Sequence, residues 1–264
     1  MELFEASRYR YVFPPDGDGV FCVGNVGECD GEARIPWNGS PSEPALVRAL
    51  DVAPSAAQLR RPQLPEWLGD LPRLESLTVP AALVGLLGDG VPRTLVIHGE
   101  AEVPVAVPGH VRGILYVGSD LSRVVDPLPS LEFLRTEIDG LEGPREQLRK
   151  LSTLRHLELV GVRNDDILAD IRSPLEALEI AGSGRRFSMA GLPPSLKVLR
   201  LNGIRAEIDG ALLAGLDELD VLNSRKFANL DAILDIPRVR FVNCGNPFRG
   251  RPEFRDRGFD VDYA

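Results

Sequence analysis

The feature that most constrains the fold of this chain is a short phrase repeated three times between residues 151 and 204. The copies read LSTLRHLELVGV, SPLEALEIAGSG and PPSLKVLRLNGI, and their equivalent leucines are 21 residues apart. The shared aliphatic residues are Leu154, Leu175 and Leu196 at position one, Leu157, Leu178 and Leu199 at position four, and Leu159, Ile180 and Leu201 at position six. A unit of this size cannot bury its own apolar face and has to stack on its neighbours. The period therefore predicts a solenoid.

The same spacing continues in both directions with falling regularity. Further matches are Val47, Leu50 and Val52, then Leu74, Leu77 and Val79, then Leu95 and Ile97, Leu115 and Val117, Leu131 and Leu134, Leu216, Leu219 and Val221, and Ile236, Val239 and Phe241. Thr136 occupies the sixth position of its unit. We expect nine or ten parallel strands between residues 47 and 243, with Leu178 and Leu199 fully buried.

The pattern LxxLxL at this spacing resembles the leucine-rich-repeat family, and the phrases LPEWLGDLPRLESLTV and LPPSLKVLRLNG are similar to bacterial members with short repeats. The resemblance covers residues 46–246 and implies an α/β fold. That fold is a right-handed horseshoe solenoid with one curved parallel sheet on its concave side and short helices or irregular segments on its convex side. The family places asparagine or cysteine at position nine, where only Cys244 fits here. We expect Asp, Ser and glycine backbone to bond the turns instead.

Both ends of the chain depart from the repeat. Residues 1–45 are rich in aromatic residues, and the alternation in RYRYVF followed by turn residues and VFCVGNV predicts an amino-terminal β-hairpin that caps the array. Residues 247–264 are predicted to form a carboxy-terminal cap in which Phe248, Phe254 and Phe259 close the last repeat. Within the array, GPREQLRKL, NDDILADI and NLDAILDI predict short helices between strands.

Composition narrows the classes of partner. The 264 residues include 30 basic and 39 acidic residues, a net charge of −9, which argues against nucleic acid as a ligand. No apolar stretch is long enough to span a membrane, and the first residues lack a basic segment followed by a continuous apolar run, so we expect no signal peptide. The three cysteines lack the spacing of a disulfide framework, so we expect a cytoplasmic protein. Cys22 and Cys29 could pair or supply half of a metal site, but two partly buried thiols are favoured.

The motifs that catalysis requires are missing from the sequence. It contains no GxSxG, no phosphate-binding loop, no HExxH and no paired CxxC, and His98, His110 and His156 fall in separate units. His98 and His156 are expected as solvated surface residues. We therefore predict a protein that is not an enzyme and needs no metal or cofactor.

A row of charges is predicted along the concave face. Side chains alternate along a strand, so position five faces away from the core. That row reads Thr78, Val96, Tyr116, Arg135, Glu158, Glu179, Arg200, Asp220 and Arg240. We expect Arg135 to pair with Glu158, Glu179 with Arg200, and Asp220 with both Arg200 and Arg240. A solvated charge ladder without a partner is the alternative interpretation.

Two irregularities in this face predict a binding site. Ile114, Tyr116 and Phe133 form an expected exposed apolar cluster, and exposed contiguous apolar surface marks interaction sites. Glu158 and Glu179 are neighbouring like charges that a basic ligand group would relieve. Arg135, His156 and Arg200 complete the predicted site.

The leading hypothesis is therefore a non-catalytic scaffold or recognition protein that binds a protein or peptide with one apolar and one basic anchor. An accessory subunit or unrecognised enzyme that uses the amino-terminal region, with a reactive Cys22 or Cys29, is the alternative. A structural spacer without a selective partner is a third possibility.

Overall fold

The computed structural model describes residues 20–24, 34–99, 106–118, 130–137, 145–162, 167–249, 251–254 and 260–262. The described residues up to Leu134 form one compact unit, the N-terminal unit, and those from Arg135 onward form a second, the C-terminal unit.

The N-terminal unit is built on parallel strands that each carry one copy of the leucine pattern. The strands are β1 (Val20–Gly24), β2 (Arg34–Ile35), β3 (Ala49–Ala53), β4 (Ser76–Pro80), β5 (Thr94–His98) and β6 (Gly113–Val117). Their order in the sheet is β2-β1-β3-β4-β5-β6, and every pair is parallel. A further strand, β7 (Phe133–Glu137), begins in this unit and ends in the other.

The C-terminal unit repeats the same arrangement. Its strands are β8 (His156–Val162), β9 (Ala177–Ser183), β10 (Val198–Asn202), β11 (Ile208–Asp209), β12 (Glu218–Leu222), β13 (Phe227–Ala228), β14 (Arg238–Val242) and β15 (Asp260–Asp262). The sheet order is β8-β9-β10-β12-β14-β15, with parallel pairing throughout. The short strands β11 and β13 pair with each other in a separate parallel sheet.

Short helices connect the strands. They are α1 (Ala56–Leu59), α2 (Ala81–Val84) and α3 (Arg145–Lys150), with 3-10 turns at Pro44–Leu46, Glu66–Asp70, Ile167–Asp170, Gly210–Leu212, Leu230–Ile233 and Pro252–Phe254. The three helices predicted from the sequence are present as α3 and as the turns that start at Ile167 and Leu230. Ser55 begins α1 with a capping box, in which its N–H donates to Gln58 Oε1 at 2.7 Å.

The aliphatic core follows the predicted register in the C-terminal unit. Leu157, Leu178 and Leu199 are aligned on adjacent strands and are fully buried. Position six is aligned in the same way. The predicted stacking of parallel strands around leucine layers is therefore confirmed, and its solenoid-like repetition explains how strands of five to seven residues are stable.

The register predicted for β6 is wrong by one residue. The structure pairs Leu95 with Ile114 and Ile97 with Tyr116, so Ile114 and Tyr116 enter the core and Leu115 turns away from it. The segment ILYV is apolar at four successive positions, so its pattern does not specify which face is buried. A slip of one residue exchanges the two faces of a strand.

The predicted amino-terminal β-hairpin is also corrected. β1 contains VFCVG, but it pairs parallel with β2 on one edge and parallel with β3 on the other. A strand has only two edges, so β1 has none left for an antiparallel partner. RYRYVF lies outside the described residues. At this end the parallel sheet continues beyond the predicted array.

Three phenylalanine rings, one of them from β14, pack against one another near the carboxy-terminal end of the array. Phe248 lies edge-on against Phe241 with ring centroids 4.9 Å apart, and Phe254 stacks on Phe248 at 4.3 Å. Phe248 and Phe254 are buried, whereas Phe259 lies outside the described residues. β15 then adds a parallel strand to β14. The boundaries predicted at residues 45 and 246 stay predictions.

Serine and cysteine bond the turns at position nine, as expected from the sequence. Ser183 Oγ accepts from Arg205 N at 3.2 Å, and Ser224 Oγ accepts from Ile204 N at 3.0 Å. Cys244 Sγ donates to the carbonyls of Val221 and Val242.

An asparagine ladder nevertheless exists just before position nine. Asn243 Nδ2 donates to Asn223 Oδ1 at 2.7 Å, and Asn223 Nδ2 donates to Asn202 Oδ1 at 2.9 Å. Asn223 and Asn243 both have φ of 52°, at the position where earlier repeats use Gly161, Gly182 and Gly203 with positive φ. Asparagine tolerates this left-handed conformation better than most side chains.

A charged cluster joins two segments between the strands. The buried carboxylate of Asp170 accepts hydrogen bonds from Arg145 Nε and from Arg149 Nε, the latter at 2.8 Å. Burial by itself raises the pKa of Asp170, but the hydrogen bonds and charges of the two arginines outweigh it, so the pKa lies below its ordinary value of 3.8.

Replacing Asp170 with asparagine is expected to lower the free energy of unfolding by about 1.5–3 kcal/mol near neutral pH, because two charged hydrogen bonds weaken. Because the pKa of Asp170 is lowered in the folded protein, its ionised carboxylate stabilises the fold at pH values above 3.8. This stabilisation is lost as the pH falls through 3.8 toward the pKa of the folded state. Urea denaturation of both proteins from neutral pH to about pH 3 should therefore show a shrinking difference. Glu207→Gln, at an exposed site, is the control. A difference that stays constant with pH contradicts the assignment.

Candidate functional site

The face of the sheet opposite the aliphatic core is the surface on which a site was predicted. We call it the polar face, and it carries positions three, five and seven of each strand. Both units have such a face, because side chains alternate along every strand.

In the C-terminal unit the polar face carries the predicted charge ladder. Arg135 Nη1 donates to Glu158 Oε2 at 3.3 Å, and Arg200 Nη1 lies 4.0 Å from Glu179 Oε2. Arg200 Nη2 and Arg240 Nη2 donate to Asp220 Oδ2 at 3.1 and 2.9 Å, and Arg240 Nε donates to Oδ1 at 3.0 Å. Every predicted pair of the ladder is confirmed.

The carboxylates of the ladder are more deeply buried than its cations. The side chains of Glu158 and Asp220 are 1% and 4% exposed, whereas those of Arg200, Arg240 and Arg135 are 13%, 28% and 39% exposed. Long charged side chains on strands about 4.8 Å apart lie over one another and exclude water. Such pairs are held more firmly than exposed ones, since screening by solvent is weaker there.

His156 is buried, so the expectation of a solvated histidine is wrong. Its Nε2 lies 3.2 Å from Glu158 Oε1, on the same strand. The carboxylate of Glu158 thus lies between the ring of His156 and the guanidinium of Arg135. His98, by contrast, is exposed, and His110 Nε2 lies 2.9 Å from the carbonyl of Val91.

Glu158 and Glu179 are neighbours in register, as predicted. Glu158 pairs with Arg135, and Glu179 lies 4.0 Å from Arg200, so the chain itself supplies the positive charge that was expected from a ligand. The repulsion that motivated a basic anchor at this place is therefore already offset.

The apolar cluster predicted from the sequence consists of different residues. Ile114 and Tyr116 lie in the core, for the reason given by the shifted register of β6. Phe133 lies at position three, because its N–H donates to Arg112 O in the same way that the N–H of Gly113 donates to Arg93 O. Its side chain is nevertheless fully buried. None of the three is an exposed anchor.

A second group of apolar side chains occupies the polar face of the N-terminal unit. Val96 and Leu115 are paired in register at position five, and Val117 follows at position seven. Val96 and Leu115 are half-buried, whereas Val117 is 46% exposed. We call these three residues the apolar patch. The correct register of β6 is the signal that would have identified them.

An acidic residue lies in the same row as the apolar patch. Asp51, Thr78, Val96 and Leu115 are aligned at position five on four successive strands. Partial desolvation of its carboxyl group raises the pKa of Asp51, and the electrostatic interaction with His98 offsets part of that rise. Asp51 and His98 are both exposed. Extending the sequence row to the first repeat would have identified Asp51.

The described residues contain no group of three or more His, Cys, Asp or Glu side chains able to hold a metal ion. Cys22 is disulfide-bonded, which corrects the preference for two thiols, and its partner lies outside the described residues. Cys244 is a free thiol whose pKa is raised by burial. A disulfide has no thiolate, so Cys22 in this state is not a nucleophile.

Within the described part of the chain, no helix combines the length and the apolar character needed to cross a bilayer. Comparison of the sequence and the structure with protein-family models, curated proteins and solved structures finds no match.

Proposed function

We propose that the chain is a leucine-rich-repeat protein of the bacterial type that acts as a non-catalytic module and binds an extended segment of a partner protein. The repeated LxxLxL pattern and the leucine layers support the family assignment. The binding surface is the polar face of the N-terminal unit.

The observation that carries this proposal is the apolar patch. Positions five and seven point away from the core, so nothing in the packing of the leucine layers requires Val96, Leu115 and Val117 to be apolar. Neighbouring strands in the C-terminal unit place charged residues at position five instead. Contiguous apolar side chains at such positions favour an interaction surface.

The distance between Asp51 and Leu115 along their row defines the spacing of the two anchor residues in the partner. Asp51 and Leu115 are three strands apart, a distance of about 14 Å. In an extended peptide, residues i and i+4 point to the same side and are also about 14 Å apart. The partner therefore carries Lys or Arg at one position, to pair with Asp51, and a large apolar residue four positions away, to contact Leu115 and Val117.

The scaffold or recognition role is proposed with this partner class and leaves its biological pathway open. A cytoplasmic location stays a prediction. The disulfide at Cys22 opposes it, because structural disulfides are typical of oxidising compartments.

A displayed library of random peptides, selected on the intact protein, tests the proposal. We expect enrichment of sequences with a basic residue and a large apolar residue four positions apart. The selected peptide should lose at least about tenfold in affinity for Leu115→Ser, Val117→Ser, because the contact area that supplies affinity is removed.

The matched control is Leu46→Ser, Leu86→Ser, which changes two exposed leucines of the same unit outside the polar face. Circular dichroism establishes that both variants are folded. Failure to select any sequence supports the spacer hypothesis and overturns the proposal. Equal binding to the wild-type protein and to the patch variant moves the site to another surface.

A further inference from the structure

A cluster of exposed basic residues lies in the loops that follow three strands of the C-terminal unit. Its members, which we call the basic loop cluster, are Arg185, Arg205, Arg225 and Lys226. Arg205 and Arg225 directly follow position nine of their repeats, and Arg185 follows two residues after Ser183. The cluster thus repeats with the array, at about one strand spacing per loop.

These side chains differ from most arginines of the same unit. Most of the others are paired with carboxylates, namely Arg135, Arg145, Arg149, Arg155, Arg200, Arg238, Arg240 and Arg251. Within the described ranges, the basic loop cluster makes no such ion pair. Because the net charge of the chain is −9, these unneutralised cations lie on a predominantly acidic protein. The exposed Glu207 is the nearest acidic residue along the chain to Arg205.

The backbone beneath the cluster is held by hydrogen bonds. Arg205 N donates to Ser183 Oγ at 3.2 Å, and Ser224 Oγ both accepts from Ile204 N and donates to Leu222 O at 3.0 Å. Neighbouring loops are thereby joined to each other. The starting points of the basic side chains are fixed, which lowers the entropy lost when they bind a ligand.

The loops also form a depression at this place. Its volume is about 340 Å³, and its lining residues are Arg185, Ile204, Arg205, Asn223, Arg225 and Lys226. Among the described residues, no acidic side chain lines it. A second depression of about 450 Å³ shares Arg205 and has a floor formed largely by Gly161, Gly182, Gly184 and Gly203. Glycine leaves room for a ligand backbone to approach closely.

We propose that the basic loop cluster binds an acidic segment of a protein, with Asp or Glu carboxylates on Arg205 and Arg225 and the segment lying along the glycine floor. Arginine forks bind carboxylates in a bidentate manner. A nucleic acid or an anionic membrane presents an extended negative surface, which a chain of net charge −9 repels. A peptide presents its charge only locally. This site is separate from the apolar patch, so either proposal can fail without the other.

Fluorescence anisotropy with a labelled peptide of alternating Glu and Ser tests the proposal on the intact protein. An identical peptide with Gln in place of Glu is the control ligand. At about 0.15 M salt, we expect Arg205→Gln, Arg225→Gln to weaken binding of the Glu peptide by at least about tenfold. The matched control is Arg172→Gln, Arg249→Gln, which removes the same charge at exposed sites outside the cluster, with a loss below about twofold.

Equal losses in the two variants would mean that net charge alone governs binding, and would overturn the site. Tighter binding of a single-stranded oligonucleotide than of the Glu peptide would overturn the assignment to an acidic protein segment. Binding of the Gln peptide as tight as that of the Glu peptide would overturn the role of the carboxylates. All four residues are exposed, so circular dichroism is expected to show unchanged folding.

Discussion

Replacing Leu178 with alanine is expected to lower the free energy of unfolding by about 2–5 kcal/mol. Leu178 is fully buried and lies between Leu157 and Leu199 on the two adjacent strands. The parallel ladder on both sides keeps the strands apart, so the cavity left by the missing atoms collapses only in part. Urea denaturation followed by circular dichroism measures the change.

Leu212→Ala is the matched control for this substitution. Leu212 lies in the same unit but is 46% exposed, so its removal should change stability by no more than about 0.5 kcal/mol. Similar small losses at Leu178 and Leu212 would contradict the register of the core.

Replacing Asp220 with asparagine is expected to cost about 3 kcal/mol, at the low end of the range for breaking a buried ion pair. Asp220 is buried and neutralises Arg200 and Arg240 from two adjacent strands. The asparagine amide has the shape of the carboxylate but carries no charge, and its NH2 group faces one of the two guanidinium groups. Because Arg240 retains some exposure, part of the penalty is relieved by water.

Asp217→Asn provides the comparison, since Asp217 is exposed and lies one residue before the same strand. We expect a change below about 0.5 kcal/mol there. Adding Arg240→Gln to Asp220→Asn should recover part of the loss, since the double variant has one buried charge fewer. Additive losses would mean that the two side chains do not interact.

The sequence was sufficient to predict those parts of the fold in which one face of a strand is charged. Leu157, Leu178 and Leu199 alternate with Glu158, Glu179 and Arg200, so burial can be satisfied in only one register. The paired charges of the ladder followed from the same alignment. In β6 both faces are apolar, and the pattern alone does not select Leu115 or Ile114 for the core.

The sequence pattern did not predict how deeply the side chains of the polar face are buried. Alternation tells which side a residue takes, but solvent exposure depends on how neighbouring long side chains lie over it. His156 and Glu158 are on the predicted side and yet are buried. The asparagine ladder was missed for a different reason, because its members precede the position that the family motif specifies.

The charges on neighbouring repeats also limit how the number of repeats can change during evolution. Arg155, just before β8, pairs with Glu176, just before β9, and Lys197, just before β10, follows Glu176 in the same row. Loss of residues 176–196 by recombination would preserve the leucine spacing, yet it would bring Lys197 next to Arg155. Loss of the β12 repeat would likewise set Arg200 against Arg240. The repeats are alike in shape but not exchangeable in charge, so selection against like-charged neighbours would preserve their number and order.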